Sequence, residues 1–200
     1  ALPVGIGRRL IQQEIDTDGR RAIGLIAPGH RISVYDLRKR RRKVTGTSFA
    51  APHITASVAL LQEFGDRQLR QNAPHWSLDS RRHEVTKAIL LNSADKLQDQ
   101  GDGLRLGMTR TVLTKKNLTW LNSKAYRDPV IPLDIEMGTG HLNVFRAYQQ
   151  FKGGQWKPEQ PVAPVGWDYG TVKVNQYQDY ILEKPLKAQG FVAITLAWDR

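Results

Sequence analysis

The most strongly patterned segment of the chain begins near residue 49. From Phe49 to Leu61 the sequence is apolar, and its small side chains recur at helical spacing. Pro52 fits the first turn of such a helix, where a missing backbone N–H costs nothing. So many small residues predict a helix that is buried against neighbours on most of its sides.

Two further helices are predicted later in the chain. Val85, Ala88 and Ile89 begin a 3.6-residue rhythm that predicts a helix over about residues 81–97. A last short helix is predicted over 141–151 after a tight glycine turn, and its expected buried residues are Leu142, Phe145, Ala147 and Tyr148.

Strand-like runs lie on both sides of the helices. Residues 22–29 are apolar up to Pro28-Gly29 and predict a buried strand that ends in a turn, and residues 31–35 alternate as a half-buried strand does. Near the end of the chain, strand-like runs cover residues 170–174, 177–182 and 191–198.

These elements predict a division into domains. Residues 98–135 are polar and are expected to form a surface insertion within a first domain of residues 1–152. Residues 153–166 hold the pair Gly153-Gly154 and three prolines and are expected to be a linker. Three strands make a poor independent sheet, so residues 167–200 are expected to be only the start of a β domain.

Composition excludes several classes of protein. The apolar fraction of 40% is ordinary for a globular protein, and no run of apolar residues approaches the roughly 18 needed to cross a membrane. The absence of cysteine excludes disulfide frameworks, thiolate zinc sites and cysteine nucleophiles. No pair of histidines or carboxylates has metal-ligand spacing, so no metal site is predicted.

The net charge of +11 is the one unusual feature of the composition. Roughly half of the excess comes from six consecutive basic residues, 38–43, rather than from a broad basic face with interleaved aromatics, so nucleic-acid binding is not the favoured interpretation. This run has three possible roles. It is interpreted first as a solvated hairpin tip between residues 33–35 and Val44, and the alternatives are an anchor for phosphate-rich partners or a nick site for trypsin-like peptidases.

Residues 46–53 form the segment with the clearest chemistry. Ser48 lies where a loop passes into the apolar helix, directly after Gly46 and Thr47. A helix N-terminus leaves backbone N–H groups free, and they point where an oxyanion would form. The alternative is that Gly-Thr-Ser is only a helix cap. The residues that follow, with Pro52 and His53, favour the nucleophile.

This segment resembles the nucleophile motif of the subtilisin-like serine peptidases, G-T-S-x-A-x-P-H. Three other stretches resemble the same family: Asp18-Gly19-Arg20 with residues 27–33, Leu90 to Ala94, and Gly138 to Asn143 with Ala147. The resemblance implies an α/β fold, namely the C-terminal part of a subtilisin-like parallel-sheet domain with flanking helices, followed by the start of a β-sandwich-type domain. It also implies a secreted or periplasmic protein.

The resemblance implies further catalytic residues that this sequence lacks. Subtilases place Asp and His before the Ser in chain order, and residues 1–47 contain neither a His-Gly-Thr motif nor an Asn for the oxyanion hole. Residues 16–19 mimic the Asp motif, but they lie too close to Ser48 and are interpreted as a turn. The triad Asp and His are therefore expected outside these 200 residues, and the upstream part of the same catalytic domain is the expected partner.

None of the five histidines is predicted to act as the base. His53 lies five residues after Ser48, about 140° around a helix, and cannot face it. His30 is interpreted as a turn residue, His75 and His83 as solvated, and His141 as packed after its glycine turn. Asp95, Asp99 and Asp102 are interpreted as a polar loop rather than an EF-hand. No cofactor is expected, although calcium is common in the family.

The leading hypothesis is a serine endopeptidase that hydrolyses peptide bonds through an acyl-enzyme on Ser48, with peptides or proteins as substrates. The 200-residue chain alone is predicted to be inactive. The alternative is a non-catalytic basic module that binds nucleic acid or an acidic polymer. A third possibility is a degenerate subtilase that is retained for its structure.

Overall fold

A computed structural model describes residues 2–3, 24–95, 138–188 and 192–198. The chain divides into two compact units. Unit one comprises Ala1–Ser57 and Ala94–Leu142, and unit two comprises Val58–Ser93 and Asn143–Arg200. The predicted insertion at 98–135 and the Asp-rich residues 16–19 lie outside the described residues.

The described residues of unit one form two small sheets. Strand β1 (Leu2–Pro3) pairs in parallel with β2 (Ile26–Ala27). Strand β3 (Ile32–Tyr35) pairs antiparallel with β4 (Arg41–Val44). The predicted buried strand at 22–29 is therefore represented by β2, whose two residues are fully buried. The alternation predicted for 31–35 is confirmed, because Ile32 and Val34 are half-buried and their neighbours are exposed.

The basic run forms more than a hairpin tip. Residues 36–40 make the turn, but Arg41 to Lys43 belong to β4 itself, with Arg41 opposite Tyr35 and Lys43 opposite Ser33. The predicted hairpin is confirmed, and its basic residues extend from the tip along one strand.

Helix α1 (Thr47–Arg70) has 24 residues and continues nine residues past Leu61, the last residue of the apolar pattern. Pro52 is the sixth residue of the helix and lies in its second turn, so its predicted place in the first turn is wrong. The expectation of burial on most sides is wrong for the described structure. Ala50, Ser57 and Leu61 are buried, but one stripe of the helix is exposed and consists of Ala51, Pro52, Thr55, Ala56, Ala59 and Leu60.

In its described residues, unit two contains residues 58–70 of α1, two shorter helices and an aromatic core. A 3₁₀ turn (Leu78–Arg81) leads into α2 (His83–Ser93), and α3 (Val144–Phe151) follows later. Both helices are shorter than predicted, and the burial predicted for Phe145 is wrong, because this side chain is 69% exposed. Phe151 is fully buried, and its ring lies near those of Phe64, Trp76 and Trp167.

The residues after α3 differ from the prediction. Residues 153–166 pack into unit two rather than running free as a linker, since Gly154, Gln155 and Val162 are buried. Strand β5 (Pro161–Val162) pairs in parallel with β6 (Ile181–Leu182). The strand-like runs 170–174 and 192–198 form no ladder within the described part of the chain, so the structure does not confirm a β-sandwich.

Candidate functional site

Ser48 lies at the second position of α1, and its side chain is exposed. The helix begins with a tight turn in which the N–H of Phe49 donates to the carbonyl of Gly46 at 3.1 Å. Thr47 is half-buried and Ala50 is fully buried, so this side of the helix packs against the protein, whereas Ser48 faces outward. The hydroxyl is therefore accessible to a reactant.

The loop in front of Ser48 is fixed by hydrogen bonds. Gly46 donates its N–H to the carbonyl of Gly29 at 2.9 Å. One residue earlier, the Thr45 hydroxyl accepts the N–H of Arg31 at 2.9 Å and lies 3.3 Å from Nδ1 of His30. These contacts join the turn after β2 to the residues before α1 and fix the loop in front of Ser48.

The first N–H groups of α1 are available to a ligand. Within the described residues, no hydrogen bond satisfies the N–H of Thr47 or Ser48, and none involves the Ser48 hydroxyl. The first N–H groups of a helix have no partner inside it, and the helix dipole places partial positive charge there. Ser48 thus presents a hydrogen-bond donor, its N–H, and a candidate nucleophile, its hydroxyl, on one exposed residue.

No histidine of the described residues is hydrogen-bonded to Ser48, as a catalytic base would be. All five histidines lie among the described residues, and none forms a hydrogen bond with Ser48. His53 donates from Nδ1 to the carbonyl of Phe49 at 2.9 Å, which is a structural contact within its own helix. His30 is an exposed turn residue, as predicted.

The other three histidines have partners of their own. His75 stacks on Trp156 with ring centroids 4.0 Å apart, and the exposed His83 lies 3.3 Å from the Glu84 carboxylate. His141 is half-buried and donates from Nδ1 to the Leu142 carbonyl at 2.9 Å. Burial lowers the pKa of His141, and a positive charge on His53 would lower it further, against the opposing effects of the Leu142 carbonyl and Asp95. His141 is therefore a neutral packing residue near pH 7.

Three of the sequence stretches that resemble the family come together in unit one. The residues that make the contacts lie within these stretches or directly beside them. Ile26 donates its N–H to the Gly140 carbonyl at 2.9 Å and accepts the N–H of Leu142 at 2.8 Å. On the other side, Asp95 and His141 exchange both backbone hydrogen bonds, at 2.7 and 2.9 Å. Residues 26, 141 and 95 therefore lie side by side, so that His141 and Asp95 extend the β1–β2 sheet beyond Ile26.

The described part of the chain offers no metal site. Among the residues of those ranges, no group of three or more His, Asp or Glu could hold a metal ion. Asp95 is buried and paired through its backbone, while Asp99 and Asp102 lie outside the described residues. In the same ranges, no helix is both long and apolar enough to cross a membrane.

The role of Asp36, which stabilises the turn of the basic hairpin, was not predicted from the sequence. Asp36 accepts the backbone N–H groups of Arg38 and Arg40 on Oδ1 and the guanidinium groups of Arg40 and Arg42 on Oδ2, at 2.9 to 3.2 Å. The Arg40 N–H is the main reason that the pKa of Asp36 is lowered, and the two guanidinium groups add to it. An Asp at the start of a turn is the signal that could have indicated this role.

A comparison with protein families agrees with the motif. Residues 12–108 match the family model described as the subtilase family, peptidase S8, and this span includes Ser48. A search of curated proteins found no match to the chain. Among solved structures, the chain is similar to the patellamide maturation protease PatA, at 23% sequence identity and a TM-score of 0.38. The alignment covers 66% of this chain and 34% of PatA, so the chain spans about a third of that protein's length.

Proposed function

Residues 12–108 belong to the subtilase family, and from this premise we propose that the chain is part of a serine endopeptidase in which Ser48 is the nucleophile. The observation that carries the proposal is the exposure of Ser48 at the start of α1, inside the matched span, on a loop anchored by Gly46 and Gly29. A helix cap alone would give the Ser48 hydroxyl a backbone N–H partner, and no described residue provides one.

The chemistry of this site is acyl transfer. The Ser48 oxygen would attack the carbonyl carbon of a peptide bond while its proton passes to a base, and the amine would leave with that proton from the tetrahedral intermediate. The N–H of Ser48 would donate to the oxyanion. Water would then hydrolyse the ester and restore the hydroxyl. None of these steps requires a cofactor.

The proposal assigns the base and its orienting carboxylate to polypeptide outside these 200 residues. All five histidines are among the described residues and none is hydrogen-bonded to Ser48, so none forms a serine–histidine pair in this structure. We further propose that residues after 167 begin a β domain. The alternation of Val192, Ile194, Leu196 and Trp198, all of them exposed, supports a strand that would pair with a partner sheet.

Hydrolysis of a chromogenic peptide tests the proposal. The 200-residue chain alone should release no burst of chromophore, because loss of the histidine base in subtilisin lowers turnover by about 10⁶. A longer polypeptide that carries Asp and His motifs upstream should hydrolyse the peptide, and its Ser48→Ala variant should not. Turnover that survives Ser48→Ala would refute the proposal, and inactivity of the longer polypeptide would indicate the degenerate subtilase instead.

A further inference from the structure

The hairpin of β3 and β4 concentrates positive charge that the proposed acyl transfer does not use. Residues 31–45 contain seven basic residues and a single acid, Asp36. That carboxylate holds two of the cations, with Arg40 at 3.0 Å and Arg42 at 3.2 Å. Asp36 also caps the turn through its contacts to backbone N–H groups. One acidic residue thus stabilises the turn, and it neutralises only a small part of the positive charge of residues 31–45.

Five exposed cations of residues 31–45 have no acidic partner among the described residues: Arg31, Arg38, Lys39, Arg41 and Lys43. The strand register places Arg41 opposite Tyr35 and Lys43 opposite Ser33, so the side chains of these two cross-strand pairs share one face. The Arg41 guanidinium donates to the Ser33 hydroxyl at 3.0 and 3.2 Å, which holds it in position without neutralising it. The Tyr35 ring beside it is 72% exposed.

This cationic face, defined as Ser33, Tyr35, Arg41 and Lys43, is close to Ser48 along the chain. Lys43 precedes Ser48 by five residues, so their Cα atoms are at most about 18 Å apart. The Gly46–Gly29 hydrogen bond fixes the segment that connects them. An extended peptide advances about 3.3 Å per residue. A substrate held at Ser48 therefore reaches the face within about five residues of the bond to be cleaved.

We propose that this cationic face binds an acidic segment of the peptide substrate and directs it to Ser48. The inference rests on the proposed function, because it assigns the substrate class of the same site. Carboxylates would pair with Arg41 and Lys43, while Tyr35 would supply apolar contact. The face is only four residues in extent, and a single described aromatic lies on it. These dimensions suit a short peptide better than a nucleic acid, which prefers a broad basic stripe with several stacking residues.

A binding experiment tests this inference without requiring catalysis. The chain has no cysteine, so Ser48→Cys gives one site for a thiol-reactive fluorophore. The probe is a short glutamate-rich peptide that carries a quencher at one end, and its control has glutamine at each glutamate. The acidic peptide should quench the fluorophore with an affinity that falls as salt is added, and the glutamine peptide should bind at least about tenfold more weakly.

Charge variants locate the bound peptide. Arg41→Gln with Lys43→Gln should weaken binding by about tenfold. Lys173→Gln with Lys187→Gln removes the same charge from two exposed lysines of unit two and should leave the affinity essentially unchanged. Asp36→Asn keeps an acceptor for the turn but releases Arg40 and Arg42, so it should tighten binding.

Several results would overturn the inference. The first two are equal affinity for the two peptides and an equal loss of affinity for the acidic peptide in the two double variants. The others are binding that does not quench the label at residue 48 and tighter binding of a single-stranded oligonucleotide of equal charge. The last result would identify a nucleic-acid surface instead. The proposed function fails by a separate readout, the hydrolysis lost or retained in Ser48→Ala, so the two failures are distinguishable.

Discussion

Gly46 donates its N–H to the carbonyl of Gly29 at 2.9 Å, and this hydrogen bond closes a loop of the chain just before Ser48. The 16 residues between them contain the whole basic hairpin, which leaves and returns at the same point. The loop that positions Ser48 is therefore fixed independently of the hairpin's length or charge. Substitutions on the exposed hairpin should change what binds there without moving Ser48.

Two glycines should respond differently to alanine. A Cβ at Gly153 would clash with the carbonyl of Val165, whose carbon would lie 2.8 Å away, so Gly153→Ala should lower the free energy of unfolding by about 1–3 kcal/mol. Gly46→Ala is the matched control, since its Cβ would meet Phe49 at an ordinary 3.5 Å. Urea denaturation measures both. Equal effects would contradict the described backbone around Gly153.

The aromatic core of unit two should depend on Phe151. Its ring is fully buried, 5.0 Å from Trp76 and 5.6 Å from Trp167 between centroids. Phe151→Ala should lower the free energy of unfolding by about 3–5 kcal/mol, because it leaves a cavity in a rigid cluster. Phe151→Leu should cost clearly less. Tryptophan fluorescence follows the unfolding, and a small effect of the alanine variant would show that the cluster is not a core.

The sequence predicted the positions of helices better than their exposed faces. The apolar rhythm located α2 because a buried stripe dictates helical spacing, and Val85 and Ile89 are indeed buried. It failed for the outer face of α1, where Ala56 and Leu60 are exposed although they are apolar. The hydropathy of a side chain indicates whether it can be buried, whereas its actual burial depends on whether a neighbouring element covers it.

The site could be predicted only in part for a similar reason. A local motif identified Ser48, since a loop-to-helix junction depends on adjacent residues such as Gly46. The contact of Gly46 with Gly29 joins residues far apart in the chain, and no spacing rule gives it. The role of Asp36 is concealed in the sequence, because six adjacent basic residues dominate the pattern around this turn acid.

Asn143 should act as the N-cap of α3. Its Oδ1 accepts the N–H of Arg146 at 2.9 Å, and its backbone is extended as a cap requires. Asn143→Ala should cost about 1 kcal/mol, whereas Asn143→Ser should retain most of the stability because it keeps an acceptor. Thermal unfolding followed by circular dichroism compares them. Equal losses for both variants would indicate that the side chain does not cap the helix.

His141 should make the fold sensitive to acid. Its pKa is lowered in the folded state, mainly by burial, from an ordinary value of 6.5. Below that value the unfolded chain binds the proton more readily than the native one, so the stability contributed by neutral His141 is lost as pH falls. His141→Asn retains a donor for the Leu142 carbonyl and should flatten the decline of unfolding free energy on the acid side. An unchanged slope would contradict the assignment.

The removal of the Ser48 hydroxyl should not affect the fold. The side chain is exposed and has no hydrogen bond within the described residues, so Ser48→Ala should change the free energy of unfolding by less than about 0.5 kcal/mol. Equilibrium denaturation checks this expectation. A larger loss would mean that Ser48 has a structural role, and it would weaken the comparison of catalytic variants.

The most direct test of Ser48 as the nucleophile is to locate the adduct of a fluorophosphonate by mass spectrometry, in a polypeptide that carries the Asp and His motifs together with these residues. One adduct is expected, on Ser48, and none in the stably folded Ser48→Ala variant. An adduct on another residue, or no adduct in a polypeptide that hydrolyses peptides, would contradict the assignment of Ser48.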